Sequence, residues 1–383
     1  MKIALGGRRR VKESYNKKPL AMNVKRSGKK YPALAMFAIL GMLLFACNHE
    51  PDIHETVDVI IDTDLGGDPD DIQSLFRAVH YSDIIKIKGI VSTPNTDISG
   101  HPWDTIKQTR LIDTWIQRID VEQLHQKGYN ELMHEDDLRA MVKAGATVPG
   151  SPAETQSTEG SAWIIKTARK YTSEKPIWIL VWGSLTTTAQ ALYDAPDIAD
   201  RIRIYYIGSS NTLHDSKSRD FVFNFMKKEH PDLWWIENGI LPKGSHETFR
   251  GVYQTGNQDG EWAFTKFTDV NIRNHGSDHS GLFKEKCGDV FPLANYPKNS
   301  LKEGDSPSLL YLISPAVGKV GNIDDPTQES WGGQFMHFDS INHPNYYIDL
   351  NKSPKECQMT IGKWRQDFLG DWKMRWDRYE HER

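Results

Sequence analysis

The residues best suited to chemistry crowd into one stretch, Asp62-Thr63-Asp64-Leu65-Gly66-Gly67-Asp68-Pro69-Asp70-Asp71. Five carboxylates within ten residues repel one another unless a cation or raised pKa values relieve them. A hard divalent ion that takes several oxygen ligands is the simplest relief, and calcium tolerates irregular geometry better than magnesium. A bland alternative has Asp68 capping a helix, Asp70 and Asp71 favouring its positive end, and the rest a solvated turn. It leaves Asp62 and Asp64 unexplained, because both leave an apolar run where isolated charge is costly. An EF-hand is excluded, since Gln73 stands where its twelfth position needs Glu. A phosphohydrolase with Asp62 as nucleophile remains a minor option, weakened by Leu65-Gly66-Gly67 after the second Asp. A glycosyltransferase DxD would rest on two residues alone.

The elements that must hold this loop read as alternating strands and helices. Val57 to Ile61 is a short apolar run, as expected for a buried strand of a parallel sheet. Asp68 then offers an N-cap oxygen, Pro69 suits a first helical position, and Ile72, Leu75, Phe76 and Val79 repeat at helical spacing. Further strands are expected at Ile84 to Val91, Pro176 to Trp182 and Ile202 to Ile207. Helices are expected from Asp104 to about Gln123, from Ser161 to Tyr171 and from Leu185 to Tyr193. This alternation predicts an α/β fold, a doubly wound, mostly parallel sheet flanked by helices. Ligands in such sheets bind beyond the carboxyl ends of the strands, which puts the loops after Ile61, Val91, Trp182 and Ile207 at the site. Residues 211–302 read as an irregular, polar insertion. Trp364, Phe368, Trp372 and Trp376 in the C-terminal stretch read as a packing face.

Charge separates the chain into two parts. Residues 1–46 hold 11 Lys/Arg and one Glu, leaving 36 basic and 50 acidic residues, a net of −14, for residues 47–383. A nucleic-acid partner for the body is thereby disfavoured. Lys25, Arg26, Lys29 and Lys30 precede an apolar run from Ala33 to Ala46, about 21 Å as a helix and short of the ~30 Å hydrocarbon core. That order is the order of a secretory signal, with Met22 an alternative start. Leu44-Phe45-Ala46-Cys47 resembles a bacterial lipobox, which makes Cys47 the lipidated residue and residues 47–56 a tether. The chain then reads as an exported lipoprotein of the periplasm or cell surface, touching membrane only through its lipid. Residues 57–383 read as a single domain, with no further β-rich C-terminal domain. Cys287 and Cys357 are either one disulfide or two thiols.

The acidic loop, with four later stretches, resembles the nucleoside hydrolase superfamily. More closely it is similar to the secreted bacterial nucleoside hydrolase-like family whose longer members are often labelled cellulose-binding. The resemblance implies that Asp64 binds calcium and activates water, that Asp71 completes the calcium site, and that Asp70 holds sugar hydroxyls with Asp62 as a supporting neighbour. Val91-Ser92-Thr93-Pro94-Asn95 matches the stretch whose asparagine, here Asn95, contacts the nucleoside. Trp182-Gly183-Ser184-Leu185-Thr186-Thr187 matches a turn that gives calcium a backbone carbonyl, here that of Trp182. Phe223-Asn224 matches a pair whose amide binds the sugar, with Val222 where a glutamate is usual. Gly304-Asp305 stands where the family has His-Asp. Asp305 is implied as the last calcium ligand, while Gly304 cannot supply the proton that the histidine gives the leaving base. His275 and His279, from the irregular region, are candidates for that proton, and Trp331 is a candidate to stack at the site edge.

Together these readings predict a calcium-dependent hydrolase of an N-glycosyl or glycosyl bond acting on a small sugar-containing substrate, in a chain that can form homo-oligomers. The rival reading is a non-catalytic, surface carbohydrate-binding lipoprotein that keeps the metal site as scaffold.

Overall fold

The first strand, β1 (Val57–Thr63), is buried along its last five residues because its side chains serve two cores at once. Val59 and Ile61 join one apolar cluster and Ile60 the other, as the alternation of a strand demands. The computed structural model describes residues 56–66, 69–94, 105–240, 247–273, 275 and 300–379. Residues 54–383 form one compact unit. Cys47, Asp68, Asn95, His279 and Cys287 lie outside the described residues, as do the expected signal and nearly all of the tether.

Strands β2 (Ile85–Ser92), β3 (Val142–Lys143), β4 (Ile177–Val181), β5 (Ile202–Ile207), β6 (Trp234–Asn238), β7 (Phe335–Asp339) and β8 (His343–Asp349) complete an eight-stranded sheet in the order β3-β2-β1-β4-β5-β6-β8-β7. Every neighbouring pair is parallel except β7 with β8. The chain runs outward from β1 through β2 to β3, then returns to β4 on the other side. The topological switch point therefore falls between β1 and β4.

Helices cover both faces. In order they are α1 (Asp70–His80), α2 (Thr105–Ile119), α3 (Val121–Gln126), α4 (Glu135–Ala140), α5 (Glu159–Ala168), α6 (Thr186–Asp194), α7 (Ser210–His214) and α8 (Ser216–Lys228). After them come α9 (Gly251–Gln254), α10 (Phe267–Asn271), α11 (Ser306–Ile313), α12 (Pro354–Gly362) and α13 (Arg365–Trp376). No helix among the described residues is long and apolar enough to cross a membrane.

Three expectations need correction. Pro69 stands ahead of α1 as its cap residue, with no side-chain cap, and does not open the first turn. The helix expected from Asp104 to Gln123 is two, broken where Asp120 takes a left-handed φ of 51°. The stretch read as irregular holds α7, α8 and β6. In α8 the exposed face carries Lys217, Asp220, Lys227 and Lys228, and only Ser218, Val222, Phe225 and Met226 are buried, so the apolar stripe is narrow. The C-terminal tryptophans behave as read. Trp372 and Trp376 are fully buried, and Trp376 stacks on Phe76 of α1 at 5.8 Å. Cys357 is a buried free thiol that donates to the Leu350 carbonyl.

Candidate metal centre

Four carboxyl groups from three stretches of chain meet beside the switch point. Asp64 leaves the end of β1, Asp70 and Asp71 open α1, and Asp305 immediately precedes α11. Oxygen atoms of Asp70, Asp71 and Asp305 lie within 4.8 Å of one another, and Asp64 acts electrostatically on both Asp71 and Asp305.

What brings Asp305 across more than 230 residues is a set of polar staples onto α1. Gln73 donates from Nε2 to the Ser300 carbonyl at 3.2 Å, and its Oε1 accepts from the backbone of Lys302 at 2.7 Å and of Glu303 at 2.9 Å. The Ser74 and Ser306 hydroxyls pair at 2.9 Å. One turn further on, Arg77 grips both carboxylate oxygens of Glu303, at 2.7 and 2.9 Å. Held this way, Glu303 takes φ of 26°, a left-handed backbone that a non-glycine residue adopts only under firm constraint.

The β4 side is tied in as well. The Trp182 indole donates to Ser308 Oγ in the first turn of α11 at 2.9 Å, and the Trp182 amide donates to the Asp62 carbonyl at 2.8 Å. Asn211 donates its amide to the Trp182 carbonyl at 2.8 Å and to the Ile207 carbonyl at 3.0 Å, joining the ends of β4 and β5. A Cβ on Gly183 would stand 2.7 Å from the Asp64 Cβ, so only glycine lets this turn press against the first strand's exit.

Electrostatics make the cluster costly as it stands. Burial raises the Asp64 carboxyl to about 7 and the Asp70 carboxyl to about 6. Asp71 and Asp305 are raised well above the usual range, by burial first and then by the neighbouring carboxylates. Asp71 accepts a very short bond from the Thr63 hydroxyl, whereas Asp305 Oδ2 is buried with no hydrogen-bond partner among the described residues. A buried orphan oxygen facing other carboxylates is a cation ligand in waiting. The donor set is all oxygen, which suits calcium or magnesium over softer metals. One positive charge is built in. The Lys302 ammonium lies 3.7 Å from Asp70 Oδ2, and burial lowers its pKa to about 8.

These shifts set a pH dependence. A carboxyl whose folded pKa is raised binds protons more tightly in the fold, so ion-free stability is present at low pH and lost as pH climbs through 6 and 7. A divalent ion displaces those protons, so its stabilising effect grows in the same window. The melting-temperature gap between calcium-loaded and chelator-treated protein is expected to widen from pH 5 to pH 8. A gap that is constant or narrows contradicts this assignment.

The remaining predicted residues are placed as follows. Asp62 is fully buried, its carboxyl raised to about 7 by burial, and it accepts from the Thr188 hydroxyl at 2.7 Å beneath the site. No contact among the described residues brings Asn224 to the acidic cluster. It is exposed in the middle of α8 and donates to the Asp220 carbonyl one turn back. His275 is buried beside α13, 3.0 Å from Asp377 and against Trp376, which stacks on the last turns of α1. Trp376 also meets His80 at 4.6 Å, and about 15 Å of helix separates that end of α1 from Asp70. Trp331 is 3% exposed and packs in the core, its backbone amide donating to Ser314 Oγ at 3.0 Å. A Cβ on Gly304 would lie 2.4 Å from Asp70 Oδ2, so any side chain there would have to displace that carboxylate oxygen. Gln73, Arg77, Lys302, Glu303 and Asn211 were not legible as site residues. Only the failure of Gln73 as an EF-hand ligand marked it at all.

The sequence model of the family described as "Cellulose-binding Sde182, nucleoside hydrolase-like domain" matches residues 58–335. A solved nucleoside hydrolase-related hypothetical protein from Saccharophagus degradans, described as associated with carbohydrate metabolism, superposes with a TM-score of 0.57 at 20% identity, covering 86% of this chain and 73% of that one. The inosine-uridine preferring nucleoside hydrolase from Bacillus anthracis gives a TM-score of 0.47 at 13% identity, covering 83% and 99%. At these identities the likeness speaks to fold alone, and the first of the two carries it. No curated protein matches the sequence.

Proposed function

The chain belongs to the Sde182-type, nucleoside hydrolase-like family, and from that premise we propose that it is a calcium-dependent hydrolase of the glycosidic bond in a nucleoside or another small glycoside. The observation that carries the reading is the meeting of Asp70, Asp71 and Asp305 within 4.8 Å at the sheet's switch point, with Asp64 alongside.

Asp64, Asp71, Asp305 and the Trp182 carbonyl are the groups proposed to hold calcium, and the closeness of Asp70 adds a further candidate. When bound, the ion supplies charge that orients a water and makes it more acidic. Asp64, at the exit of the first strand beside the other three carboxylates, is proposed to accept the water's proton. Asp70, partly exposed and beside Lys302, takes the sugar hydroxyls as far as ion binding leaves it free. Asn95 is proposed to share that work. Asp71 is oriented by Thr63, and Asp305 by the Gln73, Ser74 and Arg77 staples on its own segment. Two-carboxylate glycosidase chemistry differs, since it needs no metal.

Export supports a small external substrate. The basic stretch before Ala33–Ala46 and the Leu44-Phe45-Ala46-Cys47 sequence support residues 1–46 as a signal and Cys47 as the lipidated residue. A second reading, surface carbohydrate binding without turnover, draws on the family's cellulose-binding description and on Gly304 in place of an acid.

A panel of nucleosides and aryl glycosides, assayed with and without chelator, separates the two. Release of base or aglycone that stops on chelation and returns with calcium is expected. Retention of glycan with no turnover of any substrate favours the binder, and turnover indifferent to chelator contradicts the calcium assignment.

A further inference from the structure

A second cluster of ligating side chains lies far along the chain from the acidic loop, where α3 meets the approach to α4. Glu122 and His125 stand three residues apart on one face of α3, and His134 immediately precedes α4. Ligand atoms of all three lie within 4.8 Å of one another. His125 Nδ1 is 3.1 Å from Glu122 Oε2, and His134 Nδ1 is 3.2 Å from Glu122 Oε1, which also accepts from the Glu135 amide at 3.2 Å.

The hydrogen-bond chemistry of His125 is what points to an ion. Its Nε2 lies 3.2 Å from the Leu132 carbonyl, which can only accept, so Nε2 must carry the proton. In the neutral ring Nδ1 is then a bare lone pair aimed at a carboxylate oxygen, two acceptors face to face. His134 presents its own Nδ1 to the other oxygen of the same carboxylate, and the two rings lie tilted with centroids 3.9 Å apart, so both imidazoles converge on one carboxylate at ligand spacing. A single divalent ion shared by both Nδ1 atoms and the carboxylate satisfies all three at once. Donation of the other ring N–H to a backbone carbonyl is also how metal-ligating histidines are commonly held.

We propose that Glu122, His125 and His134 form a binding site for a zinc-type divalent ion. Imidazole nitrogen with one carboxylate favours zinc over calcium or magnesium. The 3.1 and 3.2 Å spacings match the roughly 3.3 Å between neighbouring ligands around a tetrahedral ion with bonds of about 2.0 Å. The His125 side chain is 7% exposed, whereas those of Glu122 and His134 are 43% and 57% exposed, so the fourth position opens to solvent and takes water. The ion joins α3 to the segment entering α4, where the Met133 amide donates to the Ser82 hydroxyl at 2.8 Å in the turn before β2 and the Met133 sulfur accepts from the Ile87 amide of β2 at 3.3 Å.

The test is calorimetric titration of zinc chloride at pH 7.5 into the full chain, stripped with chelator and returned to excess calcium so that the acidic centre is filled. One zinc per chain with micromolar or tighter affinity is expected, with X-ray absorption showing imidazole nitrogens at about 2.0 Å. His134→Ala, at an exposed position that the fold tolerates, is expected to weaken binding by more than about tenfold while leaving the circular dichroism spectrum unchanged. No zinc uptake, or equal uptake by the wild type and His134→Ala, overturns the proposal and leaves an ordinary imidazolium–carboxylate pair.

Discussion

Replacing Glu303 with alanine is expected to destabilise the fold by about 3–5 kcal/mol, the range for breaking a buried ion pair by removing one partner. Arg77 and Glu303 are 0% and 2% exposed, so the guanidinium left behind has no water to take the carboxylate's place. Its remaining contacts, the Trp372 ring at 4.1 Å and a long bond to the Phe368 carbonyl, do not neutralise it. Urea unfolding of the variant measures the loss. The double change Arg77→Met with Glu303→Leu should recover most of it, since an apolar pair of similar volume usually replaces a buried ion pair without penalty. Undiminished stability in Glu303→Ala would mean that this pair does not hold the Asp305 segment to α1.

Changing Asp64 to asparagine should lower turnover on a true substrate by at least about 10², the low end for losing a general base. In barrier terms that is about 2.7 kcal/mol. Asparagine keeps the shape and one oxygen but cannot accept the water's proton, so the fold should survive while the rate falls. Steady-state kinetics on whichever glycoside the panel identifies provides the check. Turnover at the wild-type rate would remove Asp64 from the chemistry.

The order of elements was legible because it is written in period. VDVII before a loop and PIWILVW before another read as buried strands, and Ile72, Leu75, Phe76 and Val79 read as a helix. The acidic loop stood out because five like charges at the mouth of a sheet demand an explanation. Asp305 was found through resemblance to a family, and no local pattern around Ser306-Pro307 would have singled it out. The staples that bring it home were invisible. Gln73 and Arg77 look like ordinary polar positions on an amphipathic helix, and only the fold reveals that their partners lie more than 220 residues away. The role of Asn224 was carried over from a short motif, yet here that motif lies within a continuous helix that turns the amide to solvent. The β7–β8 hairpin at the sheet edge was not legible because an antiparallel pair has no helical crossover, and the strand–helix alternation that marks the parallel strands does not extend to it.

Calorimetric titration of calcium into the chelator-stripped chain, repeated with Asp305→Asn, tests the metal centre most directly. One ion per chain with a Kd below about 1 mM, at the weak end of extracellular calcium sites, is expected for the wild type, with that binding lost or severely weakened in the variant. Absence of calcium binding by the folded wild type, or equal binding by Asp305→Asn, would contradict the claim that these distant carboxylates share one cation.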